Sequence, residues 1–219
     1  LAVAAFVSVE DDRPALAMVL GAMATACRPI APALVLGLVV RGVELRLRAG
    51  AKVRPADLLP VLAGLGFAGY VVFLWVRFDD PLAFAHVQAA AGWDQRPGLE
   101  TWAKVAWFKT MFPKVAPLVA VRLLGHALAT LGALALVVPT WKKLGPGYGL
   151  YCLIAIGLPA LSSKDFMGLG RYAIAAFPLF LGLGLLLEAR PRARRVWLAA
   201  SASLLLVLAF HFGAGSYVS

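Results

Sequence analysis

Apolar runs separated by short polar breaks dominate this chain, and each run is continuous rather than alternating. Leu1 to Val9 is apolar, and Glu10-Asp11-Asp12-Arg13-Pro14 forms a turn in which Pro14 suits a helix start. Ala15 to Ala26 and Ile30 to Val40 flank Arg28-Pro29, which predicts either two short helices or one helix kinked at the prolines. Two helices are the expectation. Leu58 to Val76 is a span ending in Tyr70, Phe73 and Trp75, aromatic residues suited to a membrane interface. Arg77 to Lys114 is the longest non-spanning stretch. Within it, Leu99 to Met111 carries Trp102, Trp107, Lys104 and Lys109, which reads as an amphipathic helix lying on a membrane surface or as a polar loop. Ala116 to Val138, Tyr148 to Leu161, Tyr172 to Leu187 and Val196 to Phe212 are further apolar runs.

A helix needs roughly 20 apolar residues to cross a bilayer, so the pattern predicts an all-α, polytopic membrane bundle of about six to seven segments. The continuity of the runs argues against a transmembrane β-barrel. Composition agrees: the 219 residues are 62% hydrophobic, with a mean hydropathy of +0.84. No repeat or linker divides the chain, so residues 1–219 form a single transmembrane domain. The chain begins inside an apolar stretch without methionine or signal-peptide features. The expectation is an N-terminally truncated portion of a longer protein.

The net charge is +10. A soluble protein this basic would suggest nucleic acid, but here the cations cluster in short loops and no aromatic-plus-basic nucleic-acid module is present. Membrane topology and contact with anionic lipid account for them. Loops 41–54, 142–143 and 190–195 are expected in the cytoplasm, which puts 77–114, 162–171 and the C-terminus on the opposite face. Cys27 and Cys152 read as buried thiols, with a disulfide the lesser alternative, and no zinc-type spacing is present. Abundant alanine, glycine and arginine with scarce lysine point to a GC-rich bacterial genome, and so to an inner-membrane protein.

The candidate chemistry lies in two polar stretches assigned to one face. Arg171, with Lys164 nearby, sits at the end of a span, where a guanidinium suits a phosphate through paired N–H donors or snorkels to headgroups. Arg28 carries the same two readings, as an anion ligand or as a helix-end cation. Asp80 before Pro81 suits a helix N-cap. His86 and Gln88 of that helix point to different faces, while Phe84 and Gln88 share one. They present polar groups to a substrate or simply decorate a surface helix. Arg122 and His126 share a face of their span, lining a polar seam or pairing with each other. No acid–base carboxylate pair, Ser-His-Asp order, phosphate loop or dinucleotide fingerprint is legible.

Three motifs resemble the PIG-V-like mannosyltransferases. Asp80-Pro81-Leu82-Ala83-Phe84 with Gln88 is similar to a loop of that family. Gly170-Arg171-Tyr172 with Phe177-Pro178-Leu179-Phe180 is similar to its C-terminal signature. Thr25-Ala26-Cys27-Arg28-Pro29 resembles its helix break, with Ala-Cys where a shorter spacing is usual.

The resemblance implies a GT-C fold and transfer of a hexose, mannose foremost, from a polyprenyl-phosphate donor. The acceptor would be a lipid-linked glycan or another glycan on the extracytoplasmic face. It implies substrate-binding roles for Arg171, Lys164, Arg28, Gln88, His86 and Asp80, with no cofactor and no required metal. The family's catalytic carboxylate belongs to a loop expected ahead of Leu1, so no base is assigned here and the chain alone is expected to be inactive. The competing expectation is a transporter or flippase of an anionic lipid or glycolipid. A structural subunit of a membrane complex is a third.

Overall fold

The computed structural model describes residues 1–28, 31–112 and 116–215, and all regular structure among them is helical. Pro29, Ile30 and Lys114 lie outside the described residues.

Helices α1 (Ala2–Glu10), α2 (Pro14–Cys27) and α3 (Ala31–Arg48) form the first layer. Pro14 opens α2 at a position where a missing N–H costs nothing. Arg41 and Arg46 near the end of α3 reach Glu10 and Asp12, which precede α2. The ends joined by Arg28 therefore lie at the other side, and α2 and α3 run antiparallel as two helices rather than one kinked helix.

A 3₁₀ segment, Pro55–Ala63, runs into α4 (Gly64–Phe78). Gly66 packs directly on the Ala22 carbonyl, and Thr25 donates its hydroxyl to Ala63 O at 2.6 Å. Three short helices follow: α5 (Ala83–Ala89), α6 (Leu99–Trp102) and α7 (Val105–Met111). The amphipathic helix expected over Leu99 to Met111 is broken at Lys104, whose φ is +56°.

Helix α8 (Pro117–Leu144) is followed, after Gly145, by α9 (Pro146–Ser162), which occupies the centre. Its Tyr151, Cys152, Ala155 and Ile156 are buried against Phe6, Leu34 and Leu38. Backbones approach closely here because a glycine stands at each crossing. A Cβ on Gly37 would meet Tyr151, and one on Gly147 would meet Arg41. Extending that antiparallel register puts the start of α3 level with the last turns of α9.

The run expected to span from Tyr172 to Leu187 is two helices, α10 (Gly170–Ala175) and α11 (Pro178–Glu188). They break at Ala176 and Phe177, because Pro178 offers no N–H and disfavours helical geometry in the residue before it. Finally, α12 (Pro191–Gly213) stands apart, with none of its residues buried.

Three segments are long and apolar enough to cross a membrane: Pro55–Phe78, Val119–Leu144 and Pro191–Gly213. Pro14–Cys27, Pro146–Ser162 and Pro178–Glu188 are shorter apolar helices. The chain is a multi-pass helical membrane bundle. At one end of the bundle Arg41 and Glu44 of α3 meet Leu144 and Gly147, so α3 continues as helix to Arg48 through the stretch expected to be a loop. At the other end Asp94, Gln95 and Lys104 meet Ala160, Ser163 and Lys164.

Candidate functional site

The second of these ends carries the sequence-derived site residues. Two polar segments lie against each other there. Gln95 Oε1 accepts from the Lys164 amide at 2.6 Å, and Lys164 Nζ pairs with Asp94 at 3.2 Å. Gln95 N in turn donates to Gln88 O at 2.8 Å. Gln88 is thus joined to Lys164 through one residue, although 76 positions of chain separate them. Its own side chain is exposed, while Phe84 one turn earlier packs on Phe67 and Tyr70.

Lys104 is the strongest tether. It is 8% exposed, and its Nζ donates to the carbonyls of Ala160 and Ser163 at the carboxyl end of α9. Those carbonyls lack helical partners, and a cation there also meets the negative end of the helix dipole. Burial pushes the Lys104 ammonium below the ordinary lysine range, and the Asp165 charge opposes that. In the sequence Lys104 stands among Trp102, Trp107 and Lys109 in the pattern of a surface helix or a polar loop. Its partners lie 56 and 59 residues away, and no local signal marks them. Ser163 Oγ is 3.5 Å from Lys104 Nζ, but its hydroxyl donates to Asp165 O at 2.7 Å. With the ammonium committed to carbonyls as well, the pair is not arranged as a nucleophile and its base.

Asp80 and His86 pair with each other. His86 Nδ1 lies 2.7 Å from Asp80 Oδ2, and Asp80 Oδ1 accepts from Leu82 N at 3.0 Å. The His86 hydrogen bond holds the Asp80 carboxyl below the usual carboxylate range. The helix starts at Ala83, so Asp80 closes the turn ahead of it rather than occupying the cap position expected from Pro81.

Arg171 is exposed and folds back over Gly168, whose φ of +76° a side chain would strain. A Cβ at Gly168 would come within 2.8 Å of Arg171 Nη2. Among the described residues Arg171 makes no ion pair, and no hydrogen bond joins it to Gln88, His86 or Asp80. Arg28, also exposed, ends α2. Of the three expected anion ligands, Lys164 is therefore partly neutralised, while Arg171 and Arg28 have no carboxylate partner among the described residues. Arg122 reaches Met167 Sδ at 3.5 Å and ties the same loop to α8. Cys27 is exposed rather than buried; Cys152 is buried, and both are free thiols.

A cavity of about 190 Å³ lies at the opposite end, lined by Val9, Glu10, Asp12, Gly42, Arg46 and Asp57. Its carboxylates are already met by Arg41, Arg46 and Arg54. Among the described residues no group of three or more His, Cys, Asp or Glu is placed to hold a metal ion. No family model, curated protein or solved structure matches this chain.

Proposed function

We propose that this is an integral-membrane glycosyltransferase that moves a hexose, mannose foremost, from a polyprenyl-phosphate donor to a glycan acceptor on the extracytoplasmic face. The observation that carries the reading is Arg171. Among the described residues it is an exposed guanidinium without a carboxylate partner, seven residues beyond Lys164, which is itself docked on the Gln88 segment. The acceptor hydroxyl attacks the anomeric carbon, the bond from that carbon to the lipid phosphate oxygen breaks, and the phosphate leaves with the electron pair. Cations aimed at that developing charge lower the barrier. Arg171 and Arg28 are the groups available for it, with Lys164 shared with Asp94. Gln88 offers an amide to sugar hydroxyls. No residue here is assigned as the base that takes the acceptor's proton.

One observation favours a second reading, a transporter or flippase of an anionic lipid. Helices α10 and α11 are interrupted inside the bundle, as discontinuous helices of transporters are. A single experiment separates the two. The protein expressed from its complete reading frame is reconstituted in vesicles with radiolabelled polyprenyl-phosphate mannose. Release of the lipid phosphate, lost in Arg171→Ala and partly kept in Arg171→Lys, supports the transferase. Movement of intact labelled lipid across the bilayer, with no release, supports the flippase and overturns the first reading.

A further inference from the structure

Two clusters of four arginines occur in this chain, and they are built differently. Arg41, Arg46, Arg48 and Arg54 each meet a carboxylate, drawn from Glu10, Asp12, Glu44 and Asp57. Arg190, Arg192, Arg194 and Arg195 are all exposed, and among the described residues none of them makes an ion pair. The first turn of α12 contains no acidic residue. Placing three cations at the positive end of a helix dipole is unfavourable in itself, so the chain leaves this charge to be balanced from outside.

The geometry says what balances it. At about 100° per residue, Arg192, Arg194 and Arg195 point to different sides of α12 rather than along one face. The helix they crown is unburied along its whole length. Its 23 residues run about 35 Å, enough to cross a hydrocarbon core of about 30 Å. Trp197, 49% exposed, stands one step deeper, at the depth where tryptophan prefers the membrane interface. A protein partner would cover one side of such a helix. A collar of cations around all sides fits the phosphates of a surrounding lipid leaflet.

We infer that Arg190, Arg192, Arg194 and Arg195 form a selective docking collar for anionic phospholipid headgroups. Lys142 and Lys143 are two further cations in the last turn of α8, whose Thr140 packs on Gly182 of α11. The paired cluster on α3 holds the fold and contributes little to lipid selection, because its charge is already cancelled.

The test uses the complete protein reconstituted in phosphatidylcholine vesicles carrying a trace of spin-labelled phosphatidylglycerol or spin-labelled phosphatidylcholine. The immobilised fraction of each label reports relative affinity for the protein surface. The wild type is expected to prefer phosphatidylglycerol several-fold, with the preference falling as salt rises. Changing all four arginines to glutamine is expected to remove most of the preference, while the thermal midpoint in neutral lipid stays unchanged. A Lys142→Gln/Lys143→Gln variant, which removes two cations outside the collar, is expected to keep most of it. A wild type without preference, or a four-glutamine variant that retains it, overturns the inference. So does loss of a co-purifying protein chain in that variant with lipid selectivity intact, which would show that a protein covers the collar.

Discussion

Arg41 and Glu44, one turn apart on α3, hold opposite sides of the α8–α9 turn. Arg41 Nη1 donates to Leu144 O at 3.0 Å, the carboxyl end of α8, and Gly147 N donates to Glu44 Oε2 at 3.3 Å, the amino end of α9. The two side chains also meet each other at 2.9 Å. Each charge thus faces the helix end of opposite sign, and Gly145 at φ +112° leaves room for the Glu44 carboxylate beside the turn.

The pair predicts an asymmetric mutational response. Arg41→Met removes one of the two guanidinium partners of the Glu44 carboxylate, which is 7% exposed and keeps Arg48, and it also releases Glu10. Breaking a buried pair from one side costs about 3–5 kcal/mol, and the retained Arg48 pair puts this variant at the lower end of that range. Glu44→Gln leaves Arg41 on Glu10 and keeps an acceptor near Gly147, so its cost is about 1–2 kcal/mol, the range of a weakened hydrogen bond. Thermal unfolding in detergent should show the double variant less destabilised than the sum of the singles. Additive costs would show that the two residues act separately.

Lys104 predicts a local effect at the other end. Lys104→Met removes the donors to Ala160 O and Ser163 O, and charge-assisted hydrogen bonds of this kind are worth about 1.5–3 kcal/mol each. The desolvation relieved by losing the ammonium offsets part of that. Hydrogen exchange is expected to quicken in residues 99–111 and in the last turn of α9, with the α3–α9 contact unchanged. Because burial lowers the Lys104 pKa, the unfolded chain binds the extra proton between that lowered value and the ordinary lysine value of 10.5. Stability therefore rises with pH between that lowered value and 10.5, and Lys104→Met should flatten the rise.

Asp80 sets an acid limit on the turn before α5. Its pKa lies below 3.8 through the His86 hydrogen bond. The folded-state gain is complete above the ordinary carboxylate range and is lost as pH falls through the lowered value. The Asp80 carboxyl carbon resonance should titrate below 3.8 in the wild type and move up toward that value in His86→Ala. An unchanged titration in the variant would show that the pairing has no influence.

Two glycines of α4 test close packing against open space. A Cβ on Gly66 would overlap the Ala22 carbonyl, whereas Gly69 has nothing within 4 Å. Gly66→Ala is expected to destabilise by about 1–3 kcal/mol, the cost of overpacking. Gly69→Ala is expected to be neutral or to stabilise by up to about 1 kcal/mol through helix propensity. Melting both variants side by side checks the contrast.

Much of the architecture was legible in the chain itself. The helical apolar runs and Pro14 at a helix start both reappear. Hydrophobic period and proline sterics are local properties, so they can be read without knowing the neighbours. The break at Lys104 was less legible, because no proline or glycine marks it, whereas the one at Ala176–Phe177 carries a local signal in Pro178 that the apolar composition of the run overshadows.

A multi-pass helical membrane protein follows from the apolar runs alone, because only segments that satisfy their own backbone hydrogen bonds can carry this much apolar surface into lipid. The same runs fix where cations gather. Which of those cations are committed depends on how the chain folds. Lys104 serves the end of α9, Lys164 serves Asp94 and Arg41 serves Glu10 and Glu44, while Arg171 and the collar at 190–195 keep their charge exposed. The physical reason is that a charge's free energy depends on the groups within a few ångströms of it. For these residues, most of those groups come from parts of the chain far away in sequence.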